Sequence, residues 1–526
     1  MKSNWFIRNH QTKDIVTSII RSREIKNRDK FLQPTLDKCH DPRLLSGARK
    51  AAGKILSYVQ NNEKIAVFGH DDVDGITSTV LIYSFLKRMG AKHLRYYIPN
   101  REYDKFGLQN TFVNWVLKHK TTRLITVDIG ITETEPIAYL RKKGIKTIIL
   151  DHHKIMKEKP LASAIVNPHK KHDRFPFKFL AGVGVVYNVV KILAQISKTP
   201  IDTSAPLLAG LGTIADRMPL MDDNRIFAKH LYYNLDNAHN PFLRYFMDQH
   251  PNTPKEQAIR KIILLLTIGR DENGKHQGVE LLIEDNIENV KEIYHELENR
   301  LHENEKIVGN IQEIIQEKYN EEKPQFFICC DESNQIPSHY LGVATSYITD
   351  TYKIPSLILA KWEDDVLTAE CRAPSGFNWL DYLKKISSLL IQYGGHKEAA
   401  GFTCHAKDFP RIKEHLLQLS EAHKKKIAAL KNEMKNFYID YVLDEEQFNT
   451  NKLREVNRIF SPFGQGNPQL LFLMIDQKLN ILLKRGFKIP AEIEEGLNYN
   501  IVFSIVEKEF VILDFELATT RCENFY

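Results

Sequence analysis

The chain has 526 residues, 43% of them hydrophobic and 26% charged, with a net charge of +7. This composition excludes a disordered chain, the length predicts two to four domains, and the charge excess is too mild to identify a nucleic-acid binder alone. Six scattered cysteines without a CxxC pair exclude a zinc ribbon, and the lack of a signal segment or a long uncharged apolar run predicts a cytoplasmic protein with no membrane span.

In chain order, an N-terminal extension (1–45) precedes a region, 46–240, where short β-branched runs alternate with amphipathic stretches. Strands are predicted at 64–70, 93–99, 123–128 and 146–151, and helices at 78–90 and 134–144, each stopping at a glycine. Such alternation predicts a parallel sheet covered by helices, and continuous apolar strands suit burial on both faces. Residues 241–322 lose the strand pattern. In 279–319, Leu297, Leu301, Val308 and Ile315 fall on one rotating face of a charged stretch, which predicts a long solvated connector helix. A second α/β domain is predicted over 323–430, with strands at 325–330, 356–362 and 366–373 and a helix over 380–394. Short strands at 438–443, 500–506 and 509–517 predict a small β domain over 431–526.

The strongest chemical signal is FGHDDVDG, in which His70, Asp72 and Asp74 are spaced i, i+2, i+4. In extended chain those side chains share one side, and Gly75 allows a sharp exit into a helix. Asp128 ends the run RLITVD, Asp151, His152 and His153 end KTIILDHH, and Asp216 follows the apolar run LAGLGTIA. Each alone is an ordinary turn former or helix cap. Together, at strand ends where parallel sheets bind ligands, they form a cluster whose repulsion only cations would relieve. Carboxylates and imidazoles without thiolates favour manganese or magnesium over zinc. Two such ions about 3.5–4 Å apart would polarise a phosphodiester and generate hydroxide at neutral pH.

The motifs FGHDDVDGITST, TVDIGIT, LDHH and GTIADRMPL, in that order, resemble those of the DHH phosphoesterase superfamily. The resemblance implies one metal held by His70, Asp72 and Asp128, and a second by Asp74, Asp128, His152 and Asp216, with Asp128 bridging. It implies that His153 faces the scissile phosphate and that Asp151 orients the histidines. Further segments are similar to the RecJ exonuclease branch: YIPNREYDKFGLQN, with Arg101 as a phosphate contact; LAGVG at 180–184; LTIGRDENG, with Arg270 near the DNA end; ECRAPSG and YGGHKEAAGF; and FSPFGQGNP. These imply a DHH-associated domain that clamps substrate and an oligonucleotide-binding (OB-like) C-terminal domain. Two departures stand out. His70 replaces the aspartate many RecJ proteins carry, and Leu266-Thr267-Ile268 replaces Asn-Ala-Ala before Gly269-Arg270.

The implied activity is removal of nucleotides from an end of single-stranded DNA, 5′ to 3′, with two Mn2+ (or Mg2+) ions, in recombination and repair. A single-strand-binding protein is a candidate partner of the monomeric chain. A short-oligonucleotide phosphatase or a non-catalytic replication scaffold are the alternatives, and the full set of ligand residues argues against the scaffold. In the second domain, Gly394, Gly395 and His396 read either as a phosphate cradle or as a helix stop. Arg372 reads as a bidentate phosphate grip or a surface ion pair. Phe460, Phe463 and Phe472 offer stacking surfaces or core, and the basic run 423–435 offers a backbone track or a solvated face.

Overall fold

Five short apolar runs pair side by side: β1 (Ile65–Gly69), β2 (Leu94–Tyr97), β3 (Arg123–Val127), β4 (Lys146–Leu150) and β5 (Ala164–Val166). They form one sheet in the order β2-β1-β3-β4-β5, parallel throughout. Helices α1 (Val73–Arg88), α2 (Gly182–Ser197) and α3 (Ala205–Ala215) pack on one another beside it. β1 is buried along its whole length, which is why its sequence is continuous rather than alternating. The computed structural model describes residues 3–8, 12–100, 107–155, 158–269, 275–431, 435–445 and 447–518. No helix among them is long and apolar enough to cross a membrane.

Register sets which residues meet at the sheet's carboxyl edge. Gly69 lies opposite Val127, Val127 opposite Leu150, and Leu150 opposite Val166. Four strands therefore end level, and the next residues are His70, Asp128, Asp151 and Asn167. The strand order reverses between β1 and β3, where open parallel sheets form their ligand crevice.

The chain divides into two units, Trp5–Arg300 with Phe437–Tyr526, and Met1–Asn4 with Leu301–Asn436. The first unit also holds a five-stranded mixed sheet, in the order Tyr441–Leu443, Phe472–Lys478, Asn498–Val506, Glu509–Leu517, Phe487–Lys488. Its outer strands are not paired with each other among the described residues, so the sheet is open rather than a closed barrel. Part of the N-terminal extension packs into this sheet. Ile15, Ile19, Ile20 and Phe31, from helices Ile15–Ser22 and Arg28–Leu32, lie in the core of this sheet. Phe460 and Phe472 are fully buried there and Phe463 packs against them, so the stacking-surface reading of these rings is corrected to core.

The expected connector resolves into four helices. Pro241–Gln249, Lys255–Thr267 and Gln277–Ile283 belong to the first unit, and Ile287–Glu322 continues across the division. Of the residues placed on one face of the expected solvated helix, Leu297, Leu301 and Ile315 are buried, as is Ile311, while Val308 is only half-buried.

In the second unit, five strands run in the order Gln392–Gly395, Ala399–His405, Val366–Arg372, Ser356–Glu363, Phe327–Asp331. The helix expected over 380–394 is corrected. It spans only Trp379–Lys385, followed by a short 3-10 turn and then the edge strand Gln392–Gly395. Gly394 and Gly395 therefore stop no helix. They pair with Gly401 and Ala400 in a hairpin.

One fully buried cation joins the two halves of the first unit. Arg225 donates to the carbonyls of Phe31, Ile459 and Phe460 at 2.8–3.0 Å, and its guanidinium lies 3.7 Å over the Phe31 ring. Ile459 and Phe460 end the helix Thr450–Phe460, so Arg225 satisfies carbonyls that the helix itself leaves open. Arg225→Met should cost about 3 kcal/mol or more, because the buried Phe31 and Ile459 carbonyls lose their donor and the Phe460 carbonyl keeps only that from Asn467. A urea or thermal unfolding curve measures this, and a variant as stable as the parent would contradict it.

Candidate metal centre

The carboxyl edge of the sheet builds the site. The expected extended spacing of 70–74 is corrected: β1 ends at Gly69, Asp72 is the N-cap of α1, and Asp74 stands in its first turn. Asp72 accepts from the Gly75 amide at 2.9 Å, the usual way a cap satisfies a helix's open donors. The turn closes so tightly that a Cβ on Gly75 would lie 2.3 Å from the His70 carbonyl oxygen. Asp74 then reaches the start of α2, accepting from the Gly182 and Val183 amides at 2.6 and 2.8 Å. A Cβ on Gly182 would meet Asp128 Cβ at 2.6 Å, and one on Gly212 would meet Asp74 Oδ1 at 2.8 Å. Gly182 of LAGVG and Gly212 of LAGLG are thus places where two helices close on the acids.

Asp128 adopts a left-handed backbone, φ +59°, which aspartate tolerates better than most residues and which tends to occur at functional sites. The expectation that Asp216 ends a strand is corrected, since it is the C-cap of α3. Three ligand groups result, each with its candidate atoms within 4.8 Å of one another: His70, Asp72 and Asp128; Asp74, His152 and Asp216; and Asp128, His152 and His153. His152 Nε2 lies 3.1 Å from Asp128, 3.6 Å from Asp216 and 3.9 Å from Asp74. Asp151 stands behind them. It accepts from the backbone amides of Ile131, His152 and His153 and lies 2.8 Å from His153 Nδ1. That carboxylate fixes the His153 ring and leaves Nε2 available.

Electrostatics separate these groups. Burial, then repulsion by neighbouring carboxylates, raises Asp74 and Asp128 well above the ordinary range and pushes Asp216 up to about 6. Burial would also raise Asp72, but the hydrogen bond and charge of His70, 2.9 Å away, hold it below. Burial and the neighbouring His153 pull His152 down to about 4, so its ring stays neutral, the form that binds metals. The hydrogen bond that the His153 ring donates to Asp151 raises His153. Asp128 Oδ1 and Asp216 Oδ2 are buried and accept no hydrogen bond among the described residues. Buried carboxylate oxygens without donors, beside neutral imidazole, suit a hard divalent cation.

All eight residues anticipated for this centre are therefore brought together. Arg101 and Arg270 lie outside the described residues. Arg372 belongs to the other unit and pairs with Glu370 at 2.6 Å, the plain ion-pair reading. The basic run is partly the helix Lys424–Lys431. Sequence reasoning missed an exposed aromatic pair, Phe6 stacked on Tyr438 at 5.4 Å with Arg8 5.5 Å over Tyr438. Residues so far apart in the chain give no local signal. It also missed a second acidic group, His40, Asp222 and Asp223, where Lys30 donates to both aspartates.

Comparison with known proteins finds similar sequences and a similar fold. Residues 64–213 match the DHH family, N-terminal domain. The chain is similar to the single-stranded-DNA-specific exonuclease RecJ of Bacillus subtilis, 27% identical over 455 residues, covering 85% of this chain and 56% of that protein. It is also similar to RecJ of Haemophilus influenzae, 27% identical over 521 residues, covering 92% of this chain and 87% of that one. The crystal structure of RecJ from Thermus thermophilus in complex with Mn2+ shares the fold, with a TM-score of 0.74 at 20% identity over 98% of this chain and 79% of that one.

The raised carboxyls carry protons that a cation must displace. Mn2+ binding should therefore release protons near pH 6, and affinity should climb as pH rises through the Asp216 value of about 6 and further as Asp74 and Asp128 ionise. Titration calorimetry in two buffers of different ionisation enthalpy reads the release. Identical heats in both buffers would contradict it. Asp128→Asn, which removes the charge shared by two ligand groups, should abolish binding of both ions.

Proposed function

We propose that this RecJ-like DHH chain is a metal-dependent exodeoxyribonuclease that hydrolyses single-stranded DNA from its 5′ end. The observation that carries this reading is the pair of ligand groups joined through Asp128 and His152 at the level ends of three parallel strands. Two divalent cations, Mn2+ or Mg2+, would supply charge stabilisation of a phosphodiester and an activated water. His70, Asp72 and Asp128 would hold one of them, and Asp74, Asp128, His152 and Asp216 the other.

The chain's own groups supply the rest. Asp151 orients His153, and the hydrogen bond between them raises the His153 pKa, which favours the protonated ring that can donate to a phosphate oxygen. Arg101 and Arg270 are proposed as contacts to the terminal phosphates, and Arg372, Gly394, Gly395 and His396 as contacts to the strand. A Cβ on Gly394 would meet nothing within 4 Å, so the protein's own packing does not require glycine there. An exposed edge strand without a side chain lets a sugar-phosphate backbone approach its amides. Phe6 and Tyr438, with Arg8, offer exposed ring faces of the kind on which unpaired bases stack. The chain would work as a cytoplasmic monomer in recombination and repair, beside a single-strand-binding protein.

Digestion of single strands labelled at either end tests the reading. With Mn2+, a 5′ label should appear at once as a mononucleotide, while a 3′ label should stay on shortening strands. Asp128→Asn should give no release, and His153→Ala should slow release by about a hundredfold or more. Turnover of dinucleotides in preference to long strands would retire the exonuclease reading.

A further inference from the structure

The segment 463–468, Phe-Gly-Gln-Gly-Asn-Pro, has no part in the chemistry described so far, yet it lies against the residues just beyond Asp216. Leu220 N donates to the Gln465 carbonyl at 2.8 Å. A Cβ on Gly464 would come 3.0 Å from Leu220 Cδ1, and one on Gly466, whose φ is +73°, would come 3.2 Å from both Pro219 Cβ and Met221 Cγ. Both glycines are thus pressed onto residues 219–221. The turn itself is stiff. Gly464 and Asn467 exchange backbone hydrogen bonds of 2.9 and 3.1 Å. The buried Asn467 side chain donates to the Phe460 and Pro462 carbonyls and accepts from Arg23, which in turn grips Asp440 with two bonds of 2.6 and 2.7 Å.

Asp216 is a candidate ligand with little support of its own. Its side chain is 30% exposed, and its Oδ2 accepts no hydrogen bond among the described residues. Asp74 and Asp151, by contrast, are held by backbone amides. The place of the Asp216 carboxylate therefore depends on the backbone either side of it. Before it, α3 supplies helical hydrogen bonds. After it, residues 217–221 are held at five points: Arg217 N to the Ile214 carbonyl, Met218 N to the Thr213 carbonyl, the Asn224 side-chain amide to the Pro219 carbonyl, Arg225 N to the Met221 carbonyl, and Leu220 N to the Gln465 carbonyl. Of these five, only the last comes from outside the segment that carries the metal centre.

We infer that the 463–468 loop is a positioning device for Asp216, setting the geometry of the second cation group from the C-terminal sheet. The inference rests on the reading of Asp216 as a metal ligand. It gives the two glycines a specific role, because bare backbone is what allows the loop to lie close enough to offer a carbonyl to Leu220. The effect on catalysis is indirect, through one ligand, so it should fall on one of the two ions only.

Titration calorimetry with Mn2+ on the metal-free full chain tests this, together with its melting curve. Gly464→Ala should bind nearly as wild type, because the Leu220 methyl it meets can swing aside. Gly464→Val should weaken one of the two binding events at least tenfold and leave the other unchanged. Adding Leu220→Ala, which makes room for the larger side chain, should restore it. Should Gly464→Val fail to fold, Gly466→Ala gives the same reading through Pro219 and Met221. Unchanged affinities, an equal loss at both sites, or a loss that Leu220→Ala does not repair would overturn the inference. A wild-type chain that binds no Mn2+ would instead retire the metal-centre reading and the inference with it.

Discussion

The centre of this molecule is governed by the repulsion among carboxylates that the sheet forces into line. Because β1, β3 and β4 end level, the residues after them cannot avoid one another. Asp74 and Asp128 are both buried, and burial together with their neighbours' charges raises both. A fold spends stability on such an arrangement only where something offsets it, and a pair of divalent cations offsets it directly.

The packing around the acids is shaped by the same constraint. The α2 N-terminus points two backbone amides at Asp74, a position where a helix favours negative charge. To come that near, α2 must begin with a residue that lacks a side chain, and Gly182 meets this need against Asp128. Gly212 does the same for α3 against Thr77 and Asp74. Two helices from distant parts of the chain are thereby locked at distances set by a carboxylate. Small errors in their packing would appear as errors in ligand position.

How much the sequence reveals depends on range. The strand-end residues were legible because each acid or histidine directly follows its apolar run, and register then aligns them. Asp216 was legible as a site residue but not as the end of a helix, since a short apolar run with two glycines reads equally as a strand. The 70–74 spacing suggested extended chain, but the capping power of Asp72 starts a helix there instead. The hairpin of Gln392–Gly395 with Ala399–His405 was hidden by a helical apolar pattern that tertiary pairing overrides. Ile15, Ile19, Ile20 and Phe31 gave no hint that they complete a sheet formed more than 400 residues later. Contacts of that span leave no periodic trace in either partner.

The two acidic groups of the first unit show why the centre is functional rather than merely structural. Asp222 and Asp223 also crowd together beside a histidine, but Lys30 sits among them and donates to both. Burial works against the lysine's charge, yet the two aspartates more than reverse this and raise its pKa, so the cation stays in place. That cluster carries its own counter-charge and needs nothing from solution. Around Asp74, Asp128 and Asp216 no lysine or arginine reaches within ion-pair distance among the described residues. The nearest partner is His152, which burial holds neutral. A fold able to place a lysine between two buried aspartates in one place, and leaving the other acids without one, has kept that second site for a cation that can come and go.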